Sequence, residues 1–476
     1  MRFQGFVGPS YTIQSLNADC QRCVNLYPEM NEVGRGKEGE VASLVSTPGL
    51  LLKATLSVGP TRALYYSSDN VLYAVSYNVV YKLDSSFTPT QIATMTTYEG
   101  PVSFADNGIT LCFVDGIKGY GSTLGSSVAT VFTDPDFKPA DKVVFQDGYF
   151  IFNEKGTGRF FISGLNSITF DALDIATAEG NPDDIISIIS DHRDLWLFGT
   201  QSAEVFYNSG NVDFPFERIS GAFVEHGCAA AFSVAKMNNS VFWLGRDDKG
   251  DGIVYMAKGY QPQRISTHAI EYAIRGYSNI EDAIAYTYQA NGHFFYVLNF
   301  PSANTTWVFD ASTNLWHERV STVDGTFMKH RSHVHAFAFN RHLVGDYETG
   351  KVYEMSPDYL SDNGDEITRM RVAPHVSGGL KRVFYNSFQL DMETGVGLDG
   401  EVQGSDPKAM LDYSDDGGHT WSNEKIADIG KIGTRKTRVI WRRLGSSRDR
   451  VFRLKITDPV RVTLLGAEID IETGAS

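Results

Sequence analysis

A strand–turn–strand signature recurs along this chain every 40 to 54 residues, and that rhythm limits the fold more than any other feature. The units start at Arg62, Val102, Lys142, Ile185, Ala229, Ala283 and His333. Their first turns fall at Asp69-Asn70, Asn107-Gly108, Asp147-Gly148, near Arg193-Asp194, at Asn238-Asn239, at Asn291-Gly292, and near Asn340-Arg341. Asn, Asp and Gly tolerate the positive φ that a tight hairpin demands. A sheet of this size cannot bury both its faces alone. Copies stacked around an axis can, and they leave only short edges exposed. A period of roughly 40–50 residues with several strands each predicts a β-propeller. Seven units are visible, and six blades remain open if one unit fails to close the ring. The competing arrangement, a run of unrelated sandwich hairpins, would give turns every 8–12 residues or so without the longer rhythm.

The expected architecture is therefore all-β in three parts. Residues 1–58 precede the rhythm, carry Pro9, Pro28 and Pro48, and read as an extended N-terminal arm that packs on a neighbour or on the propeller. Within it, "NEVGRGKEGE" reads as an exposed loop. The propeller spans 59–372. Residues 373–476 read as a C-terminal β-sandwich-like platform domain.

No apolar run approaches the roughly 20 residues of a membrane span, so no insertion by this chain is expected. The start, "MRFQGFVGPSYTIQ", lacks the pattern of a signal peptide. Cys20, Cys23, Cys112 and Cys228 are too few for a disulfide framework, which suits a reducing cytoplasm during assembly. The net charge of −15 argues against a protein that coats nucleic acid, but not against one that DNA slides past.

Five features could carry chemistry. Ser414, Asp416, Gly418, Thr420 and Trp421 fit the spacing S-x-D-x-G-x-T-W, which resembles the Asp box of sialidases. The physical work of that motif is to fix a hairpin turn, and the arginine cluster and Tyr–Glu pair of a sialidase are not evident, so it reads as a structural hairpin. "CQRC" at Cys20–Cys23 has no second pair to complete a zinc site and no βαβ context for redox work. His330, His333, His335 and His342, with Asp346 nearby, read as packing or surface residues, a metal site being the rarer alternative. Asp183-Asp184 point to opposite sides of an extended chain and form no dyad. Asp247, Asp248 and Asp251 match a calcium loop only loosely. No catalytic residue and no cofactor is expected.

The fifth feature is charge. Residues 431–455 hold ten Lys or Arg and one acid, Asp449, on a chain that is otherwise strongly acidic. Such segregation suits docking against an acidic partner. The candidate interface is Lys436, Arg438, Arg442, Arg443, Arg448 and Arg450, with Trp441 as aromatic anchor.

Three stretches resemble one family: "NADCQRCVNLYPE" (Asn17–Glu29), "NPDDIISIISDHRDLWLFGTQSAEVFYNSG" (Asn181–Gly210) and "RVIWRRLGSSRDRVFRLKITDPVRVTLLGAEIDI" (Arg438–Ile471). With the length, their order is similar to that of the packaged-DNA stabilisation proteins, also called tail hub or nozzle proteins, of short-tailed bacteriophages. The resemblance implies a structural virion protein of the tail, made in the host cytoplasm. It implies a homo-oligomeric ring, generally a hexamer, below the portal and its adaptor ring. Such a ring continues the DNA channel, retains packaged DNA and docks needle, fibre or spike proteins. It binds no DNA sequence specifically, and an acidic lumen wall would let the duplex pass without adhering. Two alternatives use the same fold: a sialidase-like hydrolase, and a carbohydrate-binding propeller at the tail tip.

Overall fold

A computed structural model of the chain describes residues 1–31, 41–178, 180–247, 249–379 and 381–474. Of the expected exposed loop at 31–40, all but Asn31 lies outside the described residues, as does Asp248.

Six four-stranded antiparallel sheets form six blades, and four antiparallel strands of a larger sheet, Ile284–Ala290 to Leu315–Glu318, form another, so the propeller has seven blades. Their first strands are Thr61–Tyr66, Ser103–Asp106, Val143–Gln146, Ile185–Asp191, Ala235–Met237, Ile284–Ala290 and Ser332–Ala338. The first strand of the seventh blade packs on that of the first, which closes the circle. Six blades are made of consecutive strands. The seventh takes its fourth strand, Gly49–Thr55, from before the first blade, paired to Lys351–Ser356. Closure thus ties the two ends of the propeller by hydrogen bonds.

The blades hold together because neighbouring side chains on one strand serve two different cores. Leu195 and Leu197 of the fourth blade point into the core shared with Phe160 and Ile162 of the third. Trp196 and Phe198, between them, pack with Trp243 and Tyr255 of the fifth. Phe242 and Leu244 meet Tyr296 and Leu298 of the sixth, and Phe295 and Val297 meet Val344 and Tyr353 of the seventh. Leu343 and Val352 meet Leu72 and Ala74 of the first, and Tyr73 and Val75 meet Leu111 and Phe113 of the second. Cys112 and Val114 then meet Phe150 and Phe152 of the third. Seven interfaces join seven blades. Both faces of each central strand are dry, which is why these strands read as unbroken apolar runs such as "LWLF" and "VFWL". Each fully buried aromatic contributes roughly 1.5–3 kcal/mol by removal from water. Among the described residues the one α-helix is His268–Arg275, capped by the Thr267 hydroxyl accepting from Ile270 N; Ile270 and Ile274 close the core between the fifth and sixth blades.

The C-terminal domain is a sandwich of two sheets around Phe388, Trp441, Phe452 and Val462. One sheet runs, outward from the sixth blade, through Leu315–Glu318, Cys20–Val24, Arg369–Val372, Asp449–Ile456 and Lys408–Ser414 to Lys425–Asp428. The other runs Leu26–Met30, Val41–Ser46, Thr463–Thr473, Val383–Met392 and Val439–Arg442.

The first 58 residues are therefore not an arm. Cys20–Val24 is the strand through which the sixth blade and the sandwich share one sheet, parallel to the blade at Val24–Glu318 and antiparallel to Arg369–Val372. Phe3 and Phe6 sit in the sandwich core, and Gly49–Thr55 completes the propeller. The buried Arg371 guanidinium fixes this seam. Its Nε donates to Phe6 O at 2.6 Å, its Nη1 to Pro9 O at 2.9 Å, and its Nη2 to Gly5 O at 2.9 Å and Gln21 Oε1 at 2.5 Å. Arg369–Val372, expected at the end of the propeller, is a sandwich strand for the same reason.

Candidate functional site

The basic run folds into the sandwich, from its edge strand Val439–Arg442 to the inner strand Asp449–Ile456, and burial sorts its cations into two kinds. Strand Asp449–Ile456 alternates faces, so Arg450 shares the core side with Phe452, Leu454 and Ile456. Arg450 is 1% exposed. Its Nε and Nη2 donate to both oxygens of Asp415 at 2.6 and 2.7 Å, and its guanidinium lies 4.4 Å from the Tyr385 ring and 3.7 Å from the Tyr413 ring. Arg453 pairs with Asp412 and lies 4.0 Å from the Trp421 ring, and Lys455 pairs with Glu424 at 2.5 Å. Trp441 is buried against Phe388, with its Nε1 donating to Lys425 O at 2.8 Å. Arg450 and Trp441, expected at an interface, are thus structural. Val439 and Trp441 alternate with Ile440 and Arg442, and the pleat sends the tryptophan inward.

Lys436, Arg438, Arg442, Arg443 and Arg448 are exposed. Among them and the other described residues no ion pair forms; Arg438 Nη2 donates to Gln389 Oε1 at 2.7 Å. Arg442 and Arg443 frame a shallow recess with Phe384, Asn386, Gly445 and Ser446. Phe384 is 44% exposed, and Arg382 reaches Ser446 Oγ at 3.1 Å. Phe384 and Arg382 escaped the sequence reading, although an aromatic at a solvent-facing position of "RVFYNSF" is itself a signal.

The Asp box is a turn tied by its own side chains. Ser414 Oγ donates to Asp416 Oδ1 at 2.6 Å and accepts from Gly418 N at 2.7 Å; Thr420 donates to Asp416 through N and Oγ1 at 2.9 and 2.6 Å. Hydrogen bonds from Ser414, then Thr420, hold the Asp416 carboxyl well below the usual range. Gly417 has φ of 76°, and a Cβ there would lie 1.9 Å from Asn17 Oδ1. The turn is thus seated on the N-terminal segment, and Trp421 packs beside Cys20, Val24 and Val451.

The other candidates are dispersed. Cys20 and Cys23 are buried on opposite sides of their strand, Cys23 in the sandwich core. Burial pushes the Cys23 thiol up to about 12. His330 Nδ1 lies 2.6 Å from Ser332 Oγ, and His335 Nε2 lies 3.1 Å from His342 Nδ1. Burial pushes His333 down to about 4 and His335 to about 3. Asp346 caps the turn to Thr349. Asp183 accepts from Gln201 N and Ser202 N, and Asp247 from Lys249 N and Asp251 N, so both close loops. Among the described residues no group of three or more His, Cys, Asp or Glu is placed to hold a metal ion.

A buried and a half-buried histidine that the sequence did not single out bind the seam. His293 sits between Asp310 (2.6 Å) and Glu29 (2.9 Å), and His375 between Asp449 (2.6 Å) and the Leu16 carbonyl (2.9 Å). Burial opposes charge on His293, but hydrogen bonds to Asp310 and Glu29 outweigh it and raise the ring to about 9.

Among solved structures, the chain is similar in part to the following three. The Cps50 (Swd1) β-propeller domain of Myceliophteria thermophila matches at 10% identity and TM-score 0.41, covering 64% of this chain and 99% of that one. The computationally designed Ika8 protein matches at 10% identity and TM-score 0.36, covering 64% and 99%. The Pan2 WD40 domain of Neurospora crassa matches at 8% identity and TM-score 0.42, covering 64% and 94%. The sequence has no significant match among curated proteins. No helix among the described residues is long and apolar enough to cross a membrane. Two family models cover most of the chain: the β-propeller of bacteriophage P22 Gp10 over residues 19–360, and its β-sandwich over 368–472. With a propeller and a sandwich in that order, joined through one sheet, the chain belongs to the P22 Gp10 family of structural tail hub and DNA-stabilisation proteins of short-tailed phages.

Proposed function

We propose that the chain is a subunit of a tail hub or nozzle ring, a hexamer by analogy with its family, that extends the DNA channel below the portal and adaptor. It retains packaged DNA and docks needle, fibre or spike proteins at its lower side. Double-stranded DNA passes without sequence-specific binding, and an acidic wall limits adhesion. The single observation that carries this reading is the pair of family matches over almost the whole chain.

The contact with the ring above is assigned to Arg442, Arg443 and Arg448 beside Phe384. Exposed cations without acid partners around an exposed aromatic are the ingredients of an interface anchor. The test is the double variant Arg442→Glu/Arg443→Glu. It should fold as the parent does and fail to join portal–adaptor complexes, with affinity falling at least tenfold. Undiminished assembly removes the assignment.

One observation favours the carbohydrate alternative. A cleft of about 840 Å³ between the fourth and fifth blades is lined by polar groups, among them Asn181, Gln201, Glu225, His226 and Arg246. Binding or turnover of a surface glycan, without affinity for portal–adaptor complexes, would favour that reading over the hub.

A further inference from the structure

A thiol, an imidazole and a carboxylate stand in a row where the N-terminal segment meets the sandwich. Cys20 Sγ lies 3.8 Å from His375 Nε2, and His375 Nδ1 lies 2.6 Å from Asp449 Oδ2. His375 Nε2 also lies 2.9 Å from the Leu16 carbonyl oxygen.

These partners fix the charge of the ring. A carbonyl oxygen accepts hydrogen bonds and never donates them, and so does an ionised carboxylate. Both ring nitrogens of His375 therefore carry a hydrogen, and the ring is a cation. The hydrogen bond with Cys20 and those to Asp449 and Leu16 outweigh burial and raise it to about 9. Nε2–H is within reach of the Cys20 sulfur, and a neighbouring cation favours the thiolate over the thiol. Arg371, on the adjacent strand, is a second cation within electrostatic reach of Cys20. Of the acids nearby, Asp19 accepts from Gln21 N and Nε2, and Asp449 faces the ring. Other charges on the packed elements are paired, Arg22 with Glu318 and Arg453 with Asp412, and Asp416 is bound within its own turn. Arg448 and His419 are exposed.

The other three cysteines are set differently. Cys23 donates to Leu26 O at 3.2 Å and Cys228 to Ala230 O at 3.1 Å, contacts that need the S–H. Burial pushes the Cys23 thiol up to about 12 and the Cys228 thiol to about 11, and it holds Cys112 well above the ordinary range. Cys20 is 6% exposed, against 0% for Cys23 and Cys112 and 1% for Cys228. Its nearest cover is Gly418 of the Asp box, where a Cβ would come 3.4 Å from the sulfur. A bare glycine in a surface turn thus roofs the thiol.

We propose that Cys20 is a nucleophilic thiol, its thiolate held by His375 and Asp449, that forms mixed disulfides with small disulfide compounds. The Cys20 proton goes to solvent, since both ring nitrogens are already occupied. The thiolate attacks one sulfur of the small disulfide, the new S–S bond forms as the old one breaks, and the second sulfur leaves as a thiolate. His375 acts on the sulfur through its charge, and Asp449 is a positioning residue that acts through His375. Cys23 faces the other side of the strand, and Cys112 and Cys228 lie between propeller blades. No second thiol of the chain is therefore placed to resolve the bond, and the adduct persists. This inference is independent of the ring proposed above.

The test uses the full folded chain and dithiodipyridine, with the released thiopyridone followed by absorbance. One thiol per chain should react ahead of the other three, and peptide mass mapping should place it at Cys20. Cys20→Ser should remove that fast phase and leave the slow ones. Below about pH 8 an isolated thiol slows about tenfold per pH unit, because only the thiolate attacks. The Cys20 phase should slow by less than about threefold per unit there, and His375→Gln should restore the steeper slope. Asp449→Asn should steepen it in the same direction, and the profile of the parent chain stands as a test even if neither variant folds. A first-reacting thiol other than Cys20 overturns the inference, and so does a chain in which no thiol reacts until urea unfolds it. A parent profile with the slope of an isolated thiol overturns it as well.

Discussion

Arg450 and Arg442 lie eight residues apart in one basic run, and the structure assigns them opposite roles. Replacing Arg450 with Met keeps an unbranched apolar stem of about the aliphatic length and removes the guanidinium. Lost are two charge-assisted hydrogen bonds to Asp415, a hydrogen bond to Leu444 O, and contacts with the Tyr385 and Tyr413 rings. Each charged hydrogen bond is worth about 1.5–3 kcal/mol and each cation–π contact about 0.5–2 kcal/mol. Asp415 is 42% exposed and recovers water when freed, and methionine refills part of the site. The net cost is therefore about 3–4 kcal/mol, within the range for removing one partner of a buried pair. Arg442 is exposed and unpaired, and Arg442→Glu should change stability by no more than about 0.5 kcal/mol. Urea unfolding followed by tryptophan fluorescence, to which Trp421 and Trp441 of the sandwich contribute, separates the two. Arg450→Met should lower the midpoint clearly, by over 1 M if the slope is about 2–3 kcal/mol/M. Equal midpoints for Arg450→Met and the parent chain would refute the division of the run into buried and docking cations.

The remaining predictions concern the seam and the surfaces. His293 has a folded pKa of about 9 against an ordinary 6.5, so its stabilisation is fully present below about pH 6.5 and is lost as pH rises through 9. The thermal midpoint should fall across that window, and His293→Gln should flatten the fall; an unchanged slope would contradict the Glu29–His293–Asp310 contact. Arg442→Glu/Arg443→Glu should leave urea midpoints intact while abolishing co-sedimentation with portal–adaptor complexes.

Much of the propeller is legible in its turns. Asn70, Gly108, Asp147, Asn238 and Asn291 take positive φ where the sequence places hairpins. Two turns lie one residue earlier than expected, at His192-Arg193 and Phe339-Asn340, because Asp191 pairs with Asp194 and Ala338 with Arg341. Neither His192 nor Phe339 advertises a left-handed backbone, so only strand register reveals them. The N-terminal strands were illegible for a different reason. Cys20–Val24 pairs with residues about 300 and 350 positions away, and no local pattern reports a partner so distant. Gly49–Thr55 resembles any short strand until the seventh blade is found to lack its fourth. In the basic run the charge count was sound, but it ignored the pleat. Read at a period of two, Arg450 falls in line with Phe452 and Leu454, and Trp441 with Val439. The Asp box needed no tertiary information, because its hydrogen bonds span four residues.

The most direct test of the account is electron microscopy of assembled particles containing this chain, at a resolution that shows seven-bladed discs. The account predicts a closed ring of copies of this propeller centred on the tail axis beneath the adaptor. Propellers found only at fibre tips, or off the axis without contact between copies, would contradict it.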